Sequence, residues 1–218
     1  VANNWDALTK FDASGSTGNI TADLSVATTA GKLLKTVVGG TGGDVFTVDV
    51  GNGVAAVNVN TGAGNDVLTL KASATIADAD ATITLGAGKD TLTIGAAGGL
   101  ANITATPTTV AELTAKIVTV TDFKAAEDVL SIKAATPVVF DAAQVALIAG
   151  QADLLAATKK AAELAGTRKT VVFGFGTDSY IYQNDGDAAV DGGDGLVKLT
   201  GVNVNDFNSA FNGNLVVA

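Results

Sequence analysis

From Leu8 to Ile132 the apolar and polar positions alternate with a period of two, in short runs separated by Gly, Asn, Asp and Ser. The clearest runs are Asn19 to Val26, Lys35 to Val38, Asp44 to Val50, Val54 to Val59, Val67 to Leu70, Ala81 to Leu85, Thr91 to Ile94, Lys116 to Thr121 and Val129 to Ile132. A period of two places every second side chain on one face of a strand, and Val, Thr and Ile suit a pleated, half-buried surface. The pattern changes at Pro137, which is expected to end the strand regime. Asp141 is then expected to cap a helical stretch, Ala142 to Ala165, which Gly150 breaks in two and Gly166 ends. Strand patterning returns in Thr170 to Phe175, Ser179 to Gln183 and Gly195 to Thr200, followed by a short Val204 to Phe211 segment and a last apolar run, Asn214 to Ala218.

Three of the turns share one pattern. Gly39-Gly40-Thr41-Gly42-Gly43-Asp44, Thr61-Gly62-Ala63-Gly64-Asn65-Asp66 and Leu85-Gly86-Ala87-Gly88-Lys89-Asp90 each end in Gly-x-Gly-x-Asp and lead into a strand. Their aspartates are 22 and then 24 residues apart, room for two strands and two turns per coil. Stacked coils repeat at about 4.8 Å, and carboxylates about 5 Å apart repel by roughly 3 kcal/mol per pair at an effective dielectric near 20. A cation relieves that repulsion. Ca²⁺, which takes carboxylate and carbonyl oxygens at about 2.3 to 2.6 Å, fits between two such turns better than the smaller Mg²⁺. The expected ligands are the carboxylates of Asp44, Asp66 and Asp90, with backbone carbonyls from Gly40, Thr41, Gly42, Gly62, Ala63, Gly64, Gly86, Ala87 and Gly88.

Composition narrows the chemistry. The 218 residues contain no Cys, His or Met, which excludes the usual zinc ligand sets, His-activated nucleophiles and a disulfide framework. With no Met at position 1 the chain reads as a piece of a longer polypeptide. Of 22 acidic residues only Glu112, Glu127 and Glu163 are glutamate, and Asp belongs to turns and metal loops more than to helix surfaces. A formal charge of −9 and a single arginine, Arg168, speak against nucleic acid as a partner. No stretch approaches the roughly 20 apolar residues of a membrane span, so membrane insertion is not expected.

A second acidic group, Asp185, Asp187, Asp191 and Asp194, reads best as a solvated loop between two strands, since it lacks the spacing of an EF-hand. Asp78 and Asp80 read the same way. Trp5, Tyr180 and Tyr182 are expected to pack, and the sequons at Asn19 and Asn102 carry no weight in a chain so rich in Asn and Thr.

The three Gly-x-Gly-x-Asp turns resemble those of repeat-in-toxin proteins, which bacteria export by type I secretion and whose repeats wind a calcium-bound parallel β-roll. Val120-Thr121-Asp122-Phe123-Lys124-Ala125-Ala126-Glu127-Asp128-Val129-Leu130 is similar to the run that follows the last repeats in that family, with Ala126 where the family has Gly. Phe173-Gly174-Phe175-Gly176-Thr177-Asp178-Ser179-Tyr180-Ile181-Tyr182 and Leu196-Val197-Lys198-Leu199-Thr200-Gly201-Val202 resemble the C-terminal end of type I-secreted bacterial surface-layer (S-layer) proteins. Phe11 to Gly15 and Gly39 to Gly42 also look like strand-turn units of those layers.

The expected fold is all-β: a right-handed parallel β-roll or β-helix over residues 1–133, with calcium-binding turns on one edge, and an α/β capping subdomain over 134–218. The resemblance implies a structural, non-enzymatic, calcium-binding C-terminal portion of a surface-layer protein, secreted to the cell surface by type I machinery and self-associating there. The tail would carry the export address. The alternatives are the export domain of a secreted enzyme or adhesin and, more remotely, a β-helix polysaccharide lyase, for which the isolated Lys71, Lys89 and Arg168 offer no paired acid and base.

Overall fold

The computed structural model describes residues 7–25, 33–50, 56–71, 81–94, 102–103, 105–115, 117–132, 136–138, 140–167, 169–187, 189–206 and 215–217. Trp5, Asp78, Asp80, Arg168 and the turn at Gly51-Asn52-Gly53 lie outside them. The described residues form mostly strands in two largely parallel sheets, with few helices.

Ten consecutive strands alternate between the sheets. β1 (Lys10–Asp12), β3 (Thr36–Val38), β5 (Val57–Asn60), β7 (Ala81–Thr84) and β9 (Val118–Val120) line up in that order in the first sheet. β2 (Thr21–Asp23), β4 (Val45–Asp49), β6 (Val67–Lys71), β8 (Thr91–Ile94) and β10 (Val129–Ile132) line up in the second. Every pairing among these ten is parallel. The register places like on like: Phe46 beside Leu68, Leu68 beside Leu92, and Leu92 beside Leu130. These four side chains are fully buried, and with Val37, Val57, Val59, Ile83, Val118 and Val120 of the facing sheet they make one core. The period-two pattern is the cause: in β6, Leu68 and Leu70 turn inward while Val67, Thr69 and Lys71 stay partly exposed.

Beyond β9 the first sheet continues with a change of direction. β14 (Gly195–Leu199) pairs parallel with β9, while β12 (Lys169–Phe175), β13 (Asp178–Gln183) and β14 form an antiparallel meander. β11 (Thr136–Val138) lies parallel to β12 on the outer edge, so Pro137 stands within an edge strand rather than ending the strand regime. An edge position spares the proline an interior ladder bond it could not donate. β15 (Leu215–Val217) covers β10 in the second sheet.

The meander is buried on both faces. Val172, Ile181, Val197 and Leu199 point into the core of the stacked coils. Val171, Phe173, Tyr180, Tyr182 and Leu196 point the other way, into a second core closed by α1 (Val110–Thr114), α2 (Ala142–Ala149) and α3 (Leu154–Ala165). The helix ends follow local chemistry. Asp141 and Gln144 form a capping box at α2, Asp153 accepts from Ala156 N–H at α3, and Gly166 ends α3 with a φ of 73°. The sequence pattern above holds no expectation of α1, although its capping box, Thr109 with Glu112, is present.

Because Ile181 lies in the middle of the meander with its side chain in the coil core, helices and coils share one sheet. Ile181→Ala is expected to lower stability by about 2–5 kcal/mol. Chemical denaturation followed by fluorescence and circular dichroism should show one displaced transition. Two separate transitions, with only one moved, would show that the two cores unfold independently.

Candidate metal centre

All twelve residues singled out in the three motif turns fall in one column at one edge of the sheets, each turn immediately preceding a strand of the second sheet. Gly62 and Gly86 have φ values of 105° and 94°, and Gly64 and Gly88 of 131° and 137°, a region L-residues rarely adopt. The stacking demands glycine as much as the backbone angle does. A Cβ at Gly62 would collide with the Gly40 carbonyl oxygen, and one at Gly86 with that of Gly62. The same holds for Gly64 against Gly42 and for Gly88 against Gly64. Between them Ala63 N–H donates to Gly40 O (2.9 Å), Ala87 N–H to Gly62 O (3.2 Å) and Gly64 N–H to Ala87 O (2.8 Å).

The aspartates join successive turns. Asp66 Oδ1 accepts from Asp44 N–H (2.7 Å), Asp90 Oδ1 from Asp66 N–H (2.9 Å) and Asp128 Oδ1 from Asp90 N–H (3.0 Å). Each carboxylate therefore reaches back to the backbone of the aspartate one coil earlier. In the opposite sense Val67, Thr91 and Val129 donate to the carbonyls of Asp44, Asp66 and Asp90. Asp44, Asp66, Asp90 and Asp128 are at most 2% exposed.

Two further turns belong to the column. Before the motif turns, Gly40 and Gly42 stack on Ser16 and Gly18, and Asp44 Oδ1 accepts from Ile20 N–H (2.9 Å), so Ile20 stands where the later turns have Asp. After them comes the turn at Asp122 to Asp128. Here Asp122 accepts from Leu85 N–H and Gly86 N–H (both 2.8 Å), and Asp128 Oδ2 from Lys124 N–H (2.8 Å). Neither Asp122 nor Asp128 belongs to the candidate ligand set, because their turn lacks Gly-x-Gly. Asn19 and Asn65 add a parallel series, accepting from Gly43 N–H (3.0 Å) and Lys89 N–H (2.9 Å).

The carboxylates are not equally satisfied. Both oxygens of Asp44 are spent, Oδ1 on Ile20 and Oδ2 on its own turn's Gly40 N–H (2.9 Å). Asp66 Oδ2 and Asp90 Oδ2 are buried and accept no hydrogen bond. Burial pushes the Asp66 carboxyl above the usual range against the hydrogen bond from Asp44 and the nearness of the Thr61 hydroxyl, whose proton goes to the Leu85 carbonyl; burial pushes Asp90 up to about 6, with the charges of Asp128, Asp66 and Asp122 adding to it. A buried anionic oxygen without a donor is costly, and a hard cation is the chemistry that meets it. The donors suit Ca²⁺: carboxylate oxygens and backbone carbonyls, with no nitrogen or sulfur ligand.

The other acidic group is a loop between β13 and β14. Carboxylate oxygens of Asp185, Asp187 and Asp191 lie within 4.8 Å of one another and could hold a metal ion. Asp194 does not join them. It is buried, accepting from Tyr182 O–H (2.5 Å), Asp185 N–H (2.9 Å) and Asp191 N–H (3.0 Å), and so shapes the loop from beneath. Asn102 is buried too, pairing through both side-chain atoms with the backbone of Leu196. Among the described residues no helix is long and apolar enough to cross a membrane.

Two outcomes follow. Gly86→Ala, which meets both a positive φ and the Gly62 carbonyl, is expected to cost at least about 1–3 kcal/mol, measured by urea denaturation. The second concerns pH without metal. The folded state binds a proton at Asp90 more tightly than the unfolded chain does, so this group's contribution falls as pH rises from about 4 through about 6. In chelator, Asp90→Asn is therefore expected to raise the melting temperature at pH 7 and to flatten its dependence between pH 5 and 7, both read by thermal melts.

The chain matches no protein-family model and no curated protein, so what the turns do rests on their own chemistry.

Proposed function

We propose that this chain is the structural, calcium-binding C-terminal portion of a secreted, self-assembling bacterial surface-layer protein. The observation that carries the calcium reading is the pair of buried, unpartnered carboxylate oxygens of Asp66 and Asp90 in a column of glycine turns. In this reading residues 1–133 wind as a right-handed β-roll whose turns close on Ca²⁺, and residues 134–218 cap it. Extracellular calcium modules bind at about 10⁻⁴ to 10⁻³ M, so the coils would stay loose in a calcium-poor cytosol and close outside the cell. That order suits export of an unfolded chain by a type I machine reading the tail. The surface-layer and export parts rest on the likeness of Phe173 to Tyr182 and Leu196 to Val202 to the tails of such proteins. Self-association follows from the same likeness.

The test is far-UV circular dichroism and sedimentation velocity on the 218-residue chain, in chelator and in ~1 mM Ca²⁺. A weaker β spectrum and a lower melting temperature are expected in chelator than in Ca²⁺, and larger species are expected to grow with protein concentration only when Ca²⁺ is present. The same β content in chelator would overturn the calcium reading. A monomer at every concentration in Ca²⁺ would overturn the lattice and favour the export domain of a secreted enzyme or adhesin.

A further inference from the structure

We infer that the column of turns is a closed container for two divalent cations, one held against Asp66 and one against Asp90, with Asp44 and the Asp122–Asp128 turn as end walls rather than ligands. The inference rests on the calcium reading above and adds to it the number of ions, their places and what stops the series.

At the first end the wall is built from hydrogen bonds. Ile20 brings no carboxylate to the register, and Asp44 spends one oxygen on Ile20 N–H and the other on Gly40 N–H. No carboxylate oxygen there is left without a donor. At the far end the wall is again built from hydrogen bonds. Leu85 N–H and Gly86 N–H point at Asp122, and Asp90 N–H and Lys124 N–H point at Asp128. Each of the four carboxylate oxygens of Asp122 and Asp128 thus already accepts a backbone N–H, and none is left without a donor as Asp66 Oδ2 and Asp90 Oδ2 are.

Between the walls the balance reverses. Asp66 and Asp90 each spend one oxygen on the preceding turn and keep the other buried and unpartnered, 1% exposed in both residues. The carbonyl oxygens of Gly42 and Gly64 stand against the Cα of the next turn's glycine with no Cβ between, so backbone oxygens lie at the contact between successive turns. Each of the two inner turns thus brings one spare, buried carboxylate oxygen to a stack that also presents backbone carbonyls. Two oxygens of this kind call for two ions, and the strand repeat of about 4.8 Å favours Ca²⁺ over Mg²⁺.

Asparagine substitution separates the roles. Asn keeps one oxygen to accept the backbone N–H and replaces the other with an amide nitrogen. The full chain carrying Asp187→Asn, which disables the exposed loop, serves as the parent. Asp44→Asn, Asp66→Asn and Asp90→Asn are compared in it by calorimetric titration with Ca²⁺ and by thermal melts in chelator and in Ca²⁺, with circular dichroism to verify folding. The parent is expected to bind two ions. Asp66→Asn and Asp90→Asn should each bind one, melting above the parent in chelator and below it in Ca²⁺. Asp44→Asn should still bind two and melt lower in both conditions. Loss of an ion in Asp44→Asn, a third ion in the parent, or two ions retained by Asp66→Asn or Asp90→Asn would overturn the closed container and leave the calcium reading standing. A parent that binds no Ca²⁺ would end both.

Discussion

The hydrogen bond from one aspartate's backbone N–H to the carboxylate of the aspartate a coil later is the constraint on which the remainder of the fold depends. It spans 22, 24 and 38 residues in its three occurrences, yet the spatial step is the same each time. That step sets the register of the second sheet, because each aspartate immediately precedes a strand and its carbonyl takes the first N–H of the next. A slip of one residue would turn Phe46, Leu68 and Leu92 to solvent and Val45, Val67 and Thr91 to the core. A short polar link at the edge therefore decides which face of the strands that follow it in the second sheet is buried.

The same link explains why insertion is tolerated where it is. The segment from Asp90 to Asp128 contains α1, and yet β10 returns to register on β8 as if the coil were of ordinary length. Only the turn residues and the strand that follows must match. What happens on the far side of a coil is free to vary, and α1 uses that freedom to join the second core through Leu113.

Much of this was legible in the amino-acid pattern, because period-two alternation and glycine turns are local statements. The coil length, the three motif turns, the split at Gly150 and the ends at Asp141 and Gly166 were readable for that reason. The parts that were not legible depend on partners distant in sequence. A carboxylate in Gly-x-Gly-x-Asp looks the same whether its oxygens are spent or spare, and only the neighbouring turn separates Asp44 from Asp66. Ile20 hides the first turn of the column because the position that identifies it has lost its polar group. Asp122 and Asp128 lie in a turn without the glycines, and they hold their places by accepting backbone N–H groups instead. Pro137 misled for a related reason: it breaks an interior strand, but nothing local says that a strand will be an outer one.

The shared meander has a kinetic consequence. Winding one coil onto the next closes a loop of 22 or 24 residues, but bringing Leu196 to Asn102 closes one of 94. Each doubling of loop length adds only about 0.6 kcal/mol of closure entropy, so the long contact weighs little at equilibrium. Its weight falls on the rate, because contacts distant in sequence slow folding far more than they weaken the folded state. The contacts that join β14 to β9 are therefore expected to form more slowly than those between successive coils.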